Sequence, residues 1–227
     1  PLLVVLRLCK PKAGFWYGLC FGVGFWFPAI FWFVSLGNKG CPFVLVLISY
    51  VLLAMACAAF TAIFSMLVPR LWQGVKYISY EEYLEQEDKL EELDDDEYER
   101  EEKKFAHKMK VMGRKIAFAE TWRVPVIALI WVGLEYLRGV AGFSWNTLAI
   151  SQYKSFPIAQ LAATGGTAAV SFLIVMVNAG IAGVAVRIWR LLYSKEYPRV
   201  KRHFDLWFVL IIALIAMVTG MKQYRLL

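Results

Sequence analysis

The sequence predicts an all-α fold, a polytopic transmembrane helix bundle of about five full spans plus the tail of an earlier one. Three observations carry this. Hydrophobic residues make up 59% of the chain and charged residues only 19%, against roughly 25% charged in soluble domains. Mean hydropathy is +0.53. The apolar residues also fall into blocks long enough to cross a hydrocarbon core of about 30 Å, which takes about 20 residues of helix.

The chain opens PLLVVLRLCKPK, without an initiating Met, a basic n-region or a small-residue cleavage site, so it does not start as a signal peptide does. Residues 1–8 are expected to be the end of an earlier helix, with Arg7, Lys10 and Lys12 marking its exit from the membrane and at least one helix upstream. Spans follow at about 14–36, 42–68, 123–137, 158–186 and 204–221, each bounded by charge or by Gly/Pro punctuation. In the first, Gly18 and Gly22 stand four apart and predict a close helix contact through small residues. The third is short: either residues near Ala119 extend it inward, or 139–150 continues it as interfacial, partly re-entrant structure. Irregular backbone at that depth needs cover from protein or water. Gly165-Gly166 in the fourth span lacks the Lys-Ser/Thr that follows a phosphate loop.

Orientation follows from the loops, because Lys and Arg stay on the cytoplasmic side. Twenty basic residues fall in 7–12, 70–123 and 187–202, and five in the opposite connections. The segment 143–152 and the C-terminus are therefore expected outside.

Residues 69–122 read as a charged cytoplasmic insertion. Its first half, EEYLEQEDKLEELDDDEYEREE, is acidic and reads as a solvated helix or a disordered segment. In the second half Tyr98, Phe105, Met109, Met112 and Ile116 make one apolar stripe flanked by Lys103, Lys104, Lys108, Lys110, Arg114 and Lys115. Two readings stand: a basic amphipathic helix on the anionic inner leaflet, or a helical hairpin in which the acidic half pairs with the basic half. Neither makes the insertion catalytic.

Cys9, Cys20, Cys41 and Cys57 are scattered, with no CxxC pair. Cys20 and Cys57 lie inside spans, as packing residues. Cys41 has Lys39 two residues before it but no His or Glu near it in sequence, and it is not read as a nucleophile. His107 and His203 sit among Lys and Arg without a second ligand at metal spacing, so no metal site is expected.

The stretch WVGLEYLRGVAGFSWNTLAISQ, residues 131–152, stands apart. It ends an apolar run with Glu135 and Arg138 three residues apart, close enough on a helix to share a face and pair. Charges at membrane depth are usually paired or functional.

EYLRGVAGFSWNTLAISQ, followed by TGGTAAVSFLIVMVNAGIAG, resembles the membrane region of bacterial apolipoprotein N-acyltransferases. The residues that carry the resemblance run from Glu135, Tyr136, Leu137, Arg138 and Gly139, through Gly142, Phe143, Trp145, Asn146, Ser151 and Gln152, to Gly166, Ser171, Phe172, Leu173, Val177, Asn178 and Ala179. PLLVVLRL to GFWYGLCFGVGFWF is similar to the same family's second and third helices. Ser144 stands where that pattern usually has Pro, and the charged insertion replaces what is commonly a short loop.

The resemblance implies an enzyme of the bacterial cytoplasmic (inner) membrane that moves an acyl chain from a phospholipid, by way of a thioester, to the N-terminal Cys of a diacylglyceryl-lipoprotein. Its Glu-Lys-Cys triad belongs to an external nitrilase-like domain, so no catalytic residue is expected within 1–227. This chain would then be the membrane domain that anchors the catalytic domain and admits lipid substrates. Glu135, Arg138, Phe143, Trp145, Asn146 and Gln152 are the candidate lipid-binding residues, and Arg138 is expected to hold a phosphate or glycerol ester. Partners would be the phospholipid acyl donor, the lipoprotein acceptor and membrane lipids, with no nucleic acid and no cofactor. The rival reading is a non-enzymatic transporter or assembly scaffold. A transporter is expected to show internal repeats and mid-membrane polar residues, and here Asn178, Thr164 and Thr167 are a thin set without a repeat.

Overall fold

The computed structural model describes residues 1–40, 42–72, 80–91, 94–193 and 204–224. Cys41, His203 and most of the basic run at 194–203 lie outside the described residues. The helices are α1 (Leu2–Leu8), α2 (Pro11–Ala29), α3 (Phe43–Trp72), α4 (Tyr80–Glu91), α5 (Asp95–Val140), α6 (Phe156–Ala159), α7 (Ala162–Tyr193) and α8 (Phe204–Tyr224), with 3-10 turns at Phe31–Lys39 and Leu148–Gln152. No strand occurs among the described residues, and the fold is a transmembrane helix bundle.

Three of these helices are long and apolar enough to cross a membrane, or four when α2 and the 3-10 turn beyond it, bent by 47°, count as one span. The expected five is not reached among the described residues, because the apolar part of α8, Leu206–Lys222, falls short of that length. Pro28 causes the bend: it has no amide hydrogen for the helical ladder, and the chain tightens into 3-10 geometry just beyond it.

α2 and α3 pack at close range because α2 turns glycines toward its neighbour. A Cβ on Gly18 would lie 2.3 Å from the Ser65 side chain, and one on Gly22 would lie 3.0 Å from the Ala58 backbone. A second close approach joins the far ends of the bundle, where a Cβ on Gly220 of α8 would collide with the Pro157 carbonyl of α6. One apolar cluster gathers Leu6, Phe64, Val68, Ile127 and Met176 from α1, α3, α5 and α7. The other, around Trp26, Tyr50, Ala54 and Cys57, seals α2 against α3.

The largest departure from expectation is α5. The third span was expected at 123–137, preceded by a charged insertion to 122. Instead one continuous helix of 46 residues runs through both, roughly 70 Å at 1.5 Å per residue. A hydropathy reading stops at Glu120 and Arg123 because both are charged. In the fold Glu120 is buried and accepts from Arg7 Nη2 at 2.5 Å and Arg123 Nη1 at 3.1 Å, so its carboxylate is compensated and the helix passes through it. The Arg7 guanidinium also lies over the Trp72 ring, 5.3 Å from its centroid. Arg7 was expected at a helix exit; it is buried where the ends of α1 and α3 meet α5.

The basic stripe lies on α5, which runs on without a break into the bundle. It forms a hairpin with α4, with Leu90 and Phe105 lining the crease between them. Ion pairs run along each helix: Lys89 with Glu85, Lys103 with Glu99, and Lys104 with Glu101. Lys89 holds the Glu85 carboxyl below its usual range, by hydrogen bond first and by charge second.

Glu120→Gln should cost about 3–5 kcal/mol, because it leaves the buried Arg7 charge without its carboxylate. The double variant Arg7→Met, Glu120→Leu should cost less than that single change. Thermal unfolding in detergent measures both.

Candidate functional site

The site is built where α5 ends. Gly142, at φ +93, supplies a left-handed turn, the Phe143 amide donates to the Arg138 carbonyl at 3.0 Å, and the chain doubles back across the bundle. Asn146 sits at φ +55, a region that Asn enters more readily than other side-chain-bearing residues. From Thr147 the chain tightens into the 3-10 turn Leu148–Gln152.

Three side chains hold this returning segment by its backbone. Arg138 Nη2 donates to the Asn146 carbonyl at 3.3 Å. The Leu148 amide donates to Glu135 Oε1 at 2.8 Å, which sets a carboxylate at the start of the 3-10 turn. The Ala149 amide donates to Ser171 Oγ of α7 at 3.1 Å. Glu135 and Arg138 were expected to pair with each other, and they do not: both are described, and no ion pair joins them. Each instead serves one polar group of the segment, which at this depth has little water to turn to.

Arg138 is 3% exposed. Its guanidinium lies 4.6 Å from the centroid of the Trp26 ring on α2, and Trp26 Nε1 in turn donates to Thr61 Oγ1 of α3 at 3.4 Å. α5 is thereby tied to the α2–α3 pair at a level well separated from the Arg7–Glu120 cluster.

Between α2, α3, α5 and the returning segment lies a cavity of about 450 Å³. Phe21, Phe25, Phe60 and Leu134 give it apolar walls, and Glu135, Arg138, Asn146 and Thr147 give it a polar side. A smaller, apolar chamber of about 230 Å³ adjoins it between α1, α3 and α7, sharing Phe21, Trp131 and Leu148. Among the described residues, three buried polar atoms on the walls of the larger cavity have no hydrogen-bond partner: Arg138 Nη1, Trp131 Nε1 and Thr147 Oγ1. The thiol on its wall, Cys57, lies beside the Arg138 guanidinium.

Of the six candidate residues, the structure brings Glu135, Arg138 and Asn146 to the cavity. Phe143 packs instead on the α2–α3 cluster, with the Trp145 ring edge-on to it at 5.7 Å. Gln152 Nε2 donates to Ser151 Oγ at 3.3 Å. None of these three lines the cavity. Trp26, Trp131 and Thr147 were missed. Trp131 stands four residues before Glu135 and seven before Arg138, the spacing of one helix face, so that signal was readable. Trp26 is more than a hundred residues away in sequence, and nothing local points to it.

Residues 105–180 match the family described as apolipoprotein N-acyltransferase N-terminal domain. The chain is also similar to the apolipoprotein N-acyltransferase of Geobacter metallireducens, 37% identical over 100 residues. That alignment covers 42% of this chain and 18% of the relative, so the matched stretch spans under a fifth of that protein's length. The family match takes in most of α5, the returning segment and the first half of α7, the elements from which the polar side of the cavity is made.

Asn146→Gly should leave stability nearly unchanged, whereas Asn146→Val should lose about 1–2 kcal/mol, the cost of forcing a branched side chain into left-handed backbone. Glu135→Leu should lose about 1–3 kcal/mol by leaving the Leu148 amide unpartnered, with Glu135→Gln retaining most of the stability because its carbonyl oxygen still accepts. Both comparisons are read from unfolding midpoints in one detergent.

Proposed function

On the premise that residues 105–180 form an apolipoprotein N-acyltransferase N-terminal domain, we propose that residues 1–227 are the membrane domain of a phospholipid:apolipoprotein N-acyltransferase. In this reading the helices anchor an external catalytic domain, and the cavity at the end of α5 admits the phospholipid whose acyl chain is transferred to the N-terminal Cys of a diacylglyceryl-lipoprotein. Acyl transfer proceeds in two half-reactions through a thioester, with the thiol supplied outside this chain. Glu135, Arg138 and Asn146 shape the mouth of the cavity, and Phe143, Trp145 and Gln152 support the segment that closes it.

The observation that carries the reading is the cavity itself, a largely apolar space with a polar side, formed in part by the stretch that matches the family. Such a combination suits an amphiphile, whose chains take the apolar walls and whose head takes the donors. The reading also sets the topology. Twenty basic residues against five put the α4–α5 hairpin, within the insertion at 69–122, on the cytoplasmic side of a bacterial inner membrane and the returning segment and C-terminus on the outer side.

Leu134→Trp narrows the cavity without touching its polar side. In the full-length protein it should raise the KM for the phospholipid donor about tenfold, the effect of roughly 1.4 kcal/mol, while transfer from an already acylated enzyme to a lipoprotein peptide stays at the wild-type rate. Wild-type donor kinetics in a folded Leu134→Trp protein reject the cavity as the route of admission. Topology is checked separately: a cysteine introduced at Ser151 should react with an impermeant thiol reagent from the outside of intact cells.

A further inference from the structure

Of the three buried arginines among the described residues, Arg7, Arg138 and Arg187, the first two end differently. Arg7 meets the Glu120 carboxylate at 2.5 Å. Arg138, equally buried, has no carboxylate within ion-pair distance among the described residues, although Glu135 lies one helical turn away. Glu135 is occupied by the Leu148 amide, and Arg138 has one long hydrogen bond to a carbonyl, a tryptophan face and the neighbouring Cys57 thiol, with no carboxylate among them. A guanidinium in that condition favours a ligand that brings negative charge and acceptor oxygens. Its Nη1 is unpartnered, and so are the Trp131 indole N–H and the Thr147 hydroxyl on the walls of the same cavity. A guanidinium, an indole N–H and a hydroxyl are all donors to an oxyanion.

We propose that Arg138, Trp131 and Thr147 form an oxyanion subsite that takes the phosphate of a lipid headgroup, with an acyl chain of the same lipid in the apolar chamber beyond Trp131. The indole divides the two spaces: its ring is a wall of both, and its N–H is among the unpartnered donors. This deepens the reading of the cavity as a lipid route and rests on it only for access from the bilayer. Thr147 and Trp131 belong to the subsite on the same footing as Arg138. The chemistry that is recognised, a phosphate oxygen, is common to a phospholipid and to free phosphate, and the two are separable by experiment.

The protein is purified in a maltoside detergent, which carries no phosphate, and loaded with phosphatidylglycerol or with diacylglycerol of identical chains. Retained lipid is then quantified by mass spectrometry after gel filtration. Phosphatidylglycerol should be retained in preference to diacylglycerol. Thr147→Val removes one donor at nearly constant shape and should weaken phosphatidylglycerol retention about fivefold, the worth of one hydrogen bond, with diacylglycerol unaffected. Trp131→Phe removes a second donor along with part of the ring, and its loss should fall at least about fivefold more heavily on phosphatidylglycerol than on diacylglycerol. Phosphatidylglycerol that resists millimolar inorganic phosphate assigns the oxyanion to the lipid headgroup. Full displacement by inorganic phosphate keeps the oxyanion subsite and assigns it to free phosphate.

Equal retention of the two lipids overturns the proposal. So does unchanged phosphatidylglycerol retention in both variants, or a Trp131→Phe loss that falls equally on diacylglycerol. Because no acyl transfer is read, failure here leaves the acyltransferase reading untouched, and a failed acyltransferase assay leaves the subsite standing.

Discussion

The rest of the bundle depends on how α5 is gripped at two levels. At one, Glu120 binds Arg7 from α1 and Arg123 from its own helix, against Trp72 at the end of α3. At the other, Arg138 lies on Trp26 of α2 and holds the Asn146 carbonyl. Apolar packing between helices in lipid is weakly directional, since lipid tails are as greasy as leucine. Buried charges are not, because each must find its partner or remain an uncompensated cost. Two such points on one helix set its height and its rotation against α1, α2 and α3. The glycine-lined contact of α2 with α3 then sets the distance between those two.

How much of this was legible in the sequence varied with the range of the interaction. Helix class, the positions of most apolar runs and the glycine face of α2 depend on residues a few positions apart, and periodicity captures them. The length of α5 was not legible, because Glu120 looks like a boundary to any local reading and becomes an interior residue only through Arg7, which is more than a hundred residues earlier. The site divided in the same way. Glu135, Arg138 and Asn146 stood out as polar residues at the end of an apolar run, whereas the partner of Arg138 proved to be an aromatic face from another helix. The expected Glu135–Arg138 pair failed because sequence reading counts side chains and overlooks the backbone: a chain that folds back near the membrane exposes amides and carbonyls, and those claimed both charges first.

The returning segment also shows why a six-residue candidate list split in half. Phe143 and Trp145 are large, apolar and adjacent to the polar residues, so they read as ligand contacts; in the fold Phe143 packs on the α2–α3 cluster and the Trp145 ring stands edge-on to Phe143. That packing adds to the hydrogen bonds with Arg138, Glu135 and Ser171 that hold the segment by its backbone. Their contribution to the site is indirect, through the position of Asn146 and Thr147, and Ser171 adds to it from α7 by accepting from Ala149.

The spacing of the two grips makes the bundle a ruler. Glu120 and Arg138 are eighteen residues apart, about 27 Å of helix, close to the hydrocarbon thickness of a typical bilayer at about 30 Å. Because both levels are cross-tied to other helices, α5 has little freedom to tilt alone when the surrounding membrane thins or thickens. Hydrophobic mismatch then falls on the lipid, which must deform around a body of fixed height at a cost of fractions of a kcal/mol per Å. The returning segment would therefore keep its depth relative to Arg138 while the lipid headgroup plane moves past it, so bilayer thickness itself becomes a variable that sets how the cavity mouth meets the membrane surface.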